Sequence, residues 1–235
     1  EDIVDFSVGE PDFPTPGYIK EAAHEAMQKN LTKYTVNNGL LNLREAICDK
    51  LETENDVAYK TDEILVSSGA KHALFNVMMS VIESGDEVII PAPYWGSYPE
   101  ITKLAGAAPV IVNSKQENGF HITAEELSIA LTHKTKAFIL CNPCNPTGAA
   151  YSEQQLRDLA EVIKSTKVMI ISDEIYEKLL FDNQQFKSFA ALDSDIKNRT
   201  IIINGLSKAY AMTGWRIGYA AGEKEIIRAA AKIQS

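Results

Sequence analysis

Short uninterrupted apolar runs alternate with segments whose apolar positions recur at helical spacing along most of this chain. Ile64-Leu65-Val66 leads into a helix predicted over 71–83, and Glu87-Val88-Ile89-Ile90 into one over 96–105. Pro109-Val110-Ile111-Val112 precedes a helix opening at Thr123, where Glu126 three positions on completes a capping box. Ala137-Phe138-Ile139-Leu140 precedes a helix capped by Ser152, and the runs 167–171 and 200–204 close the series. Thr200-Ile201-Ile202-Ile203 is β-branched throughout and lacks polar alternation. It is therefore read as a strand covered on both faces and ending at Gly205. Strands separated by helices pair in parallel through right-handed crossovers. The expected fold is α/β, three layers αβα around a mostly parallel sheet.

The first 60 residues differ. They hold Pro11, Pro14 and Pro16 and then turn helical, as an arm or minor domain would. The division expected is an N-terminal arm with the start of a small-domain segment over 1–40, and a large domain over 41–235. Apolar residues make up 45% of the 235 positions, enough for a core, and the net charge of −9 argues against nucleic acid or an anionic membrane as partner. No apolar run is long enough to cross a bilayer, and the start carries no basic-then-apolar leader. Three cysteines do not form a disulfide framework, so a cytoplasmic setting is the simplest. Both ends read as cut, which makes a piece of a longer protein the expectation.

In a parallel sheet the segments following the strands gather at one edge, where α/β folds bind ligands. Ser67-Ser68-Gly69-Ala70-Lys71 follows the first strand. Small residues before a helix leave N–H groups free for a phosphate, though they also make an ordinary cap. Pro93-Tyr94-Trp95 follows the second, and Trp95 is placed to stack on a planar ring or to fill the core. Cys141-Asn142-Pro143-Cys144-Asn145-Pro146-Thr147-Gly148 contains a C-x-x-C. None of His24, His72, His121 and His133 has the spacing of a metal partner, so no metal site is expected. Asn145 is instead a rigid amide donor in a turn. Ser172-Asp173-Glu174-Ile175-Tyr176 puts a carboxylate at the buried edge, where it needs a cation or hydrogen-bond donors. Ser207-Lys208 follows the run 200–204, with Arg216 eight residues on among glycines. An amine, a hydroxyl and a guanidinium there suit a phosphorylated carbonyl compound, the amine as a Schiff base and the others on the phosphate. Together the set meets the needs of pyridoxal 5'-phosphate.

On Gly9-Glu10-Pro11-Asp12-Phe13, Pro93-Tyr94-Trp95, Asn145-Pro146-Thr147-Gly148, Ser172 to Tyr176 and Ser207 to Gly218, in that order, the chain resembles the fold-type I pyridoxal-phosphate enzymes. Within them it is similar to the class I/II aminotransferases, above all the bacterial aspartate enzymes of the aspartate/prephenate type. The resemblance implies that Lys208 binds the cofactor and shuttles the Cα proton. It implies that Asp173 keeps the pyridine nitrogen protonated, and that Tyr176 and Asn145 bond its phenolic oxygen. Trp95 would stack on the ring, and Asn145 and Trp95 would also meet the substrate. Ser207, Arg216 and residues 68–71 (Ser68, Gly69, Ala70, Lys71) would hold the phosphate. Tyr34 matches a tyrosine that reaches the neighbouring subunit's phosphate, implying a homodimer with shared sites, and Gly9 one that borders the substrate carboxylate.

The implied activity is transamination between an amino acid, aspartate for preference, and 2-oxoglutarate. Aromatic, kynurenine and aminocyclopropane-carboxylate-type chemistries on the same scaffold stay open, as does a truncated, non-catalytic fragment. Two departures bear on this. Gly205 stands where family members often carry a second phosphate hydroxyl, and the family's arginine for the α-carboxylate lies in a C-terminal small domain beyond Ser235.

Overall fold

Residues 9–235 are described by the computed structural model. Along them run α1 (Gly17–Gln28), α2 (Leu41–Asn55), β1 (Ile64–Ser67), α3 (Ala70–Val81), β2 (Glu87–Ala92), α4 (Ser97–Leu104), β3 (Ala108–Asn113) and α5 (Ala124–Ala130). Then follow β4 (Thr135–Cys141), α6 (Glu153–Lys164), β5 (Met169–Asp173), α7 (Ser194–Arg199), β6 (Thr200–Gly205), β7 (Gly218–Ala221) and α8 (Lys224–Gln234). The strands form one sheet in the order β1-β7-β6-β5-β4-β2-β3. The capping box read at Thr123–Glu126 is present, and the cap read at Ser152 is completed into a second box by Gln155.

The layers follow from which way each strand residue faces. Ile201 and Ile203 pack with Leu74 and Met78 of α3 and Ile227 of α8, while Ile202 between them packs with Ile47 and Leu51 of α2. Further along the second face, Phe138 and Ile170 meet Leu127 of α5, Leu156 and Ile163 of α6, and Ile196 of α7. All six residues of β6 are buried, so neither face has a use for polar alternation. Each fully buried isoleucine contributes roughly 1.5–3 kcal/mol. Three layers, αβα, result.

The sheet is mostly parallel but not wholly. β7 lies between β1 and β6 and pairs antiparallel with both. That strand begins at Gly218, the last residue of the Ser207–Gly218 segment that the sequence marked only for ligand binding. Two antiparallel steps restore direction, so β1 runs with β6 and its carboxyl end joins those of β2, β4, β5 and β6 at one edge. The chain leaves β2 outward to β3 and returns to β4 on the other side, which makes the β2/β4 junction the reversal point where such sheets open a crevice. At the N-terminal end α1 buries none of its residues, whereas α2 sinks Ile47, Leu51 and Asn55. Residues 1–8 of the expected arm lie outside the described residues. Among the described residues no helix is long and apolar enough to cross a membrane.

Candidate active site

The shared strand edge encloses a cleft of about 700 Å3. Gly9, Ala70, Lys71, Trp95, Asn145, Asp173, Tyr176, Ser207, Lys208 and Arg216 all line it. Glu10, Tyr98, Ile175 and Thr213, which the sequence gave no reason to choose, line it too. Ser68, Gly69 and Tyr34 do not. Ser68 faces an adjoining hollow of about 410 Å3 that shares Lys71 and Arg216 with the cleft. Tyr34 is fully exposed.

Asp173 closes β5 and is 4% exposed. Its Oδ2 accepts the Tyr98 hydroxyl at 2.6 Å and its Oδ1 the Ile175 N–H at 3.3 Å. No cation offsets its burial, which pushes its pKa up to about 6 against the pull of those two donors. A buried carboxylate held by two neutral donors is still an unbalanced charge. It is suited to meet a cationic group in the cleft. Tyr98 was hidden in the sequence because its position on α4 reads as an ordinary core contact. In fact it is buried, stands edge-on to Trp95 with ring centroids 5.4 Å apart, and aims its hydroxyl at the carboxylate. Trp95 itself is half-buried in the cleft wall, and the Lys71 ammonium lies 4.8 Å from its ring centroid.

Lys208 enters from just past the carboxyl end of β6, the parallel neighbour of β5. Its ammonium donates to the Gly9 carbonyl and stands 5.6 Å from the centre of the Tyr176 ring. Burial lowers its pKa, Glu10 opposes that and Arg216 adds to it. An amine that loses its proton more readily than usual is a better nucleophile and base at neutral pH. Tyr176 accepts the Asn145 side-chain N–H at 3.2 Å, which ties the turn after β4 to the turn after β5. Burial raises the Tyr176 pKa, so its hydroxyl stays protonated and able to donate.

The anion grip is narrower than the sequence implied. The Ser68 N–H is spent on His72 Nδ1 at 3.2 Å, and the Gly69 N–H turns back to Ser67 O at 2.8 Å. The amides of Ala70 and Lys71, first in α3, precede any intrahelical acceptor, and both residues line the cleft with Ser207 and Arg216. Gly69 serves differently: at φ +89° a Cβ there would run into the Arg216 guanidinium, so its bareness lets the arginine lie on the loop. Gly205 is equally constrained, since a Cβ would approach Ile217 O to 2.8 Å and Gly218 Cα to 2.9 Å. The backbone, and not only the chemistry, excludes the second hydroxyl.

Cys141 and Cys144 are free thiols. Cys141 Sγ accepts the Asn145 N–H at 3.4 Å, Cys144 Sγ donates to Pro93 O at 3.5 Å, and burial pushes the Cys141 thiol well up. Both shape the strand-end turn.

A sequence model of the family "Aminotransferase class I and II" matches residues 1–235. The chain is 47% identical over 234 residues to an aspartate aminotransferase of Bacillus sp. (strain YM-2), covering 100% of this chain and 60% of that protein. It is 48% identical over 235 residues to the aspartate/prephenate aminotransferase of Cereibacter sphaeroides, covering 100% of this chain and 59% of that protein. The crystal structure of the aspartate aminotransferase from Rhizobium meliloti superposes with a TM-score of 0.95 at 47% identity, over 97% of this chain and 57% of that one. An aromatic aminotransferase from Pyrococcus horikoshii superposes with a TM-score of 0.97 at 42% identity, over 100% and 63%. The chain thus spans about three-fifths of the length of these relatives.

Proposed function

The chain belongs to the class I and II aminotransferases, and from that premise we propose that the protein transfers an amino group from an amino acid, aspartate by preference, to 2-oxoglutarate with pyridoxal 5'-phosphate. One observation carries the proposal: a single cleft is walled by a lysine amine with a lowered pKa and by a buried carboxylate that lacks a cation. The donor set fits the cofactor. The uncompensated charge of Asp173 suits a protonated pyridine nitrogen, and the bare Gly69 lets the Arg216 guanidinium lie on the loop, beside Ala70, Lys71 and Ser207 of the cleft wall, where it suits a phosphate. Bound there, pyridoxal phosphate supplies an electron sink for the charge left when the Cα proton of an amino acid is removed.

The chain's own groups do the rest. Lys208 Nζ would hold the cofactor and, once the substrate's amine has taken its place, would be free to carry the proton removed at Cα. Asp173, oriented by Tyr98, holds the ring nitrogen's proton in place. Tyr176 and Asn145 donate to the phenolic oxygen. Trp95 gives the ring a flat wall, and with Asn145 meets the substrate beside Gly9. Ala70 and Lys71 N–H, Ser207 and Arg216 hold the phosphate. Residues 1–40 form an arm and the start of a small domain, and 41–235 the cofactor-binding domain. Tyr34, exposed on its own chain, serves the neighbour's phosphate in a cytoplasmic homodimer. A second reading, aromatic donors, is supported by the likeness to the Pyrococcus horikoshii structure.

The complete protein should show a visible absorbance band after addition of pyridoxal phosphate, and Lys208→Ala should abolish it. Single-turnover reactions with aspartate, glutamate and phenylalanine then rank donors. A band that survives Lys208→Ala sinks the assignment, and phenylalanine outrunning aspartate moves it to the aromatic reading.

A further inference from the structure

β5 ends at Asp173 and the chain turns through residues 174–177 before leaving the sheet edge. This turn presents Asp173 and Tyr176 to the cleft, three residues apart. Their neighbours Glu174 and Glu177 share that spacing and leave the cleft for the layer beneath. Glu174, 1% exposed, accepts the hydroxyls of Ser172 and Ser188 at 2.8 Å each and the Phe189 N–H at 3.3 Å. Glu177, 5% exposed, pairs with Lys50 Nζ and accepts from Asn55 Nδ2 at 2.8 Å. Lys50 Nζ in turn donates to Asn55 Oδ1 at 2.7 Å. The three groups of this triad each bind the other two.

A buried ion pair adds little net stability over an apolar contact of the same size, because desolvation offsets most of the attraction. What it does supply is a fixed geometry. The turn needs one, since it lies past the last ladder pair of β5 and few backbone bonds hold it, among them Glu174 N–H to Ile203 O and Glu177 N–H to Glu174 O.

We propose that the Lys50–Glu177–Asn55 triad is a positioning device, which with Glu174 beside it anchors the turn to α2 and so fixes where Asp173 and Tyr176 meet the cofactor. The proposal rests on the pyridoxal-phosphate reading above. The competing account is that the triad only fastens α2 to the sheet. That account predicts lost stability and nothing else.

The test is the pH midpoint of the visible band of Lys208-bound cofactor in the complete protein, measured with the melting temperature. Glu177→Gln frees the turn, so Tyr176 donates less well to the phenolic oxygen and the midpoint rises by about half a pH unit. Tyr176→Phe raises it further. The double variant goes no higher than Tyr176→Phe alone, because both changes remove one contact. Additive shifts, or an unmoved midpoint with a lowered melting temperature, overturn the proposal. If Glu177→Gln fails to fold, Asn55→Ser keeps the ion pair and removes one strut. It should move the midpoint the same way by less, and no movement overturns the proposal equally. A wild type with no Lys208-dependent band removes the cofactor reading and the triad's role with it. A normal band with an unmoved midpoint removes the triad alone.

Discussion

Asp173 carries an ionisation that its surroundings make expensive, and the sign of that effect is measurable. Its pKa rises from 3.8 to about 6 through burial. Between those values the folded protein binds more protons than the unfolded chain, so stability falls as pH rises through the window. A shift of this size corresponds to roughly 3 kcal/mol. In the cofactor-free protein, Asp173→Asn should therefore gain on wild type by that order between pH 4 and 7, read by denaturant unfolding at each pH. Tyr98→Phe removes a donor that favours the ionised carboxylate, so the Asp173 titration, followed by carboxyl carbon NMR, should move upward from about 6. Pyridoxal phosphate should move it down. If Asn at 173 shows a pH-independent difference from wild type, the carboxylate is not the buried charge described above. Sequence alone found the carboxylate, because an Asp separated only by Ser172 from the apolar run 168–171 is conspicuous. It did not find Tyr98 or Glu10, since an amphipathic helix position and a Pro-flanked acid look ordinary until the fold brings them to the cleft.

At the scale of elements, the proposed phosphate grip depends on two pieces of backbone lying against each other. The loop before α3 and the segment entering β7 approach so closely that a Cβ on Gly218 would strike the Gly69–Ala70 peptide. Gly69→Ala meets both a left-handed φ of +89° and the Arg216 guanidinium. Strain of about 1–3 kcal/mol follows, with a melting temperature lower by several degrees and a weaker hold on pyridoxal phosphate. Gly85→Ala is the control: its φ is +96° but nothing lies within 4 Å of the added Cβ. It should lower the melting temperature and leave cofactor affinity alone. Equal affinities in both variants would detach Gly69 from the grip. Periodicity exposed six strands and the helices between them, because each strand carries an uninterrupted run of apolar residues. β7 escaped notice because three of its four residues, Gly218, Ala220 and Ala221, have small side chains or none. The pair between Lys50 and Glu177 escaped for a different reason: the two are separated by 127 positions, and only the packing of α2 against β1, β6 and β7 brings it beside the turn after β5.

Across the whole molecule, exposed apolar side chains are unevenly spread. Among the described residues, eight of the sixteen large exposed ones fall between Phe13 and Leu41, among them Tyr18, Leu31 and Tyr34. Singly such residues need no cover, but a concentration of them around an α1 that buries nothing of its own marks a surface used by something else. The proposed homodimer gives that surface a partner and gives Tyr34 a task in the neighbour's site. Mixed dimers separate this from action within one chain. Lys208→Ala abolishes Schiff-base formation in its own protomer, and Tyr34→Phe weakens the phosphate hold wherever Tyr34 acts. If Tyr34 acts across the interface, a mixed dimer of the two variants holds one intact site, Lys208 from one protomer and Tyr34 from the other. Mixing should then restore wild-type cofactor affinity to half the sites of each heterodimer, seen as a tight phase in the visible-band titration. If Tyr34 acts within its own chain, every site is defective and no tight phase forms. A mixture that behaves as the sum of the two separate variants, in a preparation shown to contain heterodimers, ends the shared-site proposal.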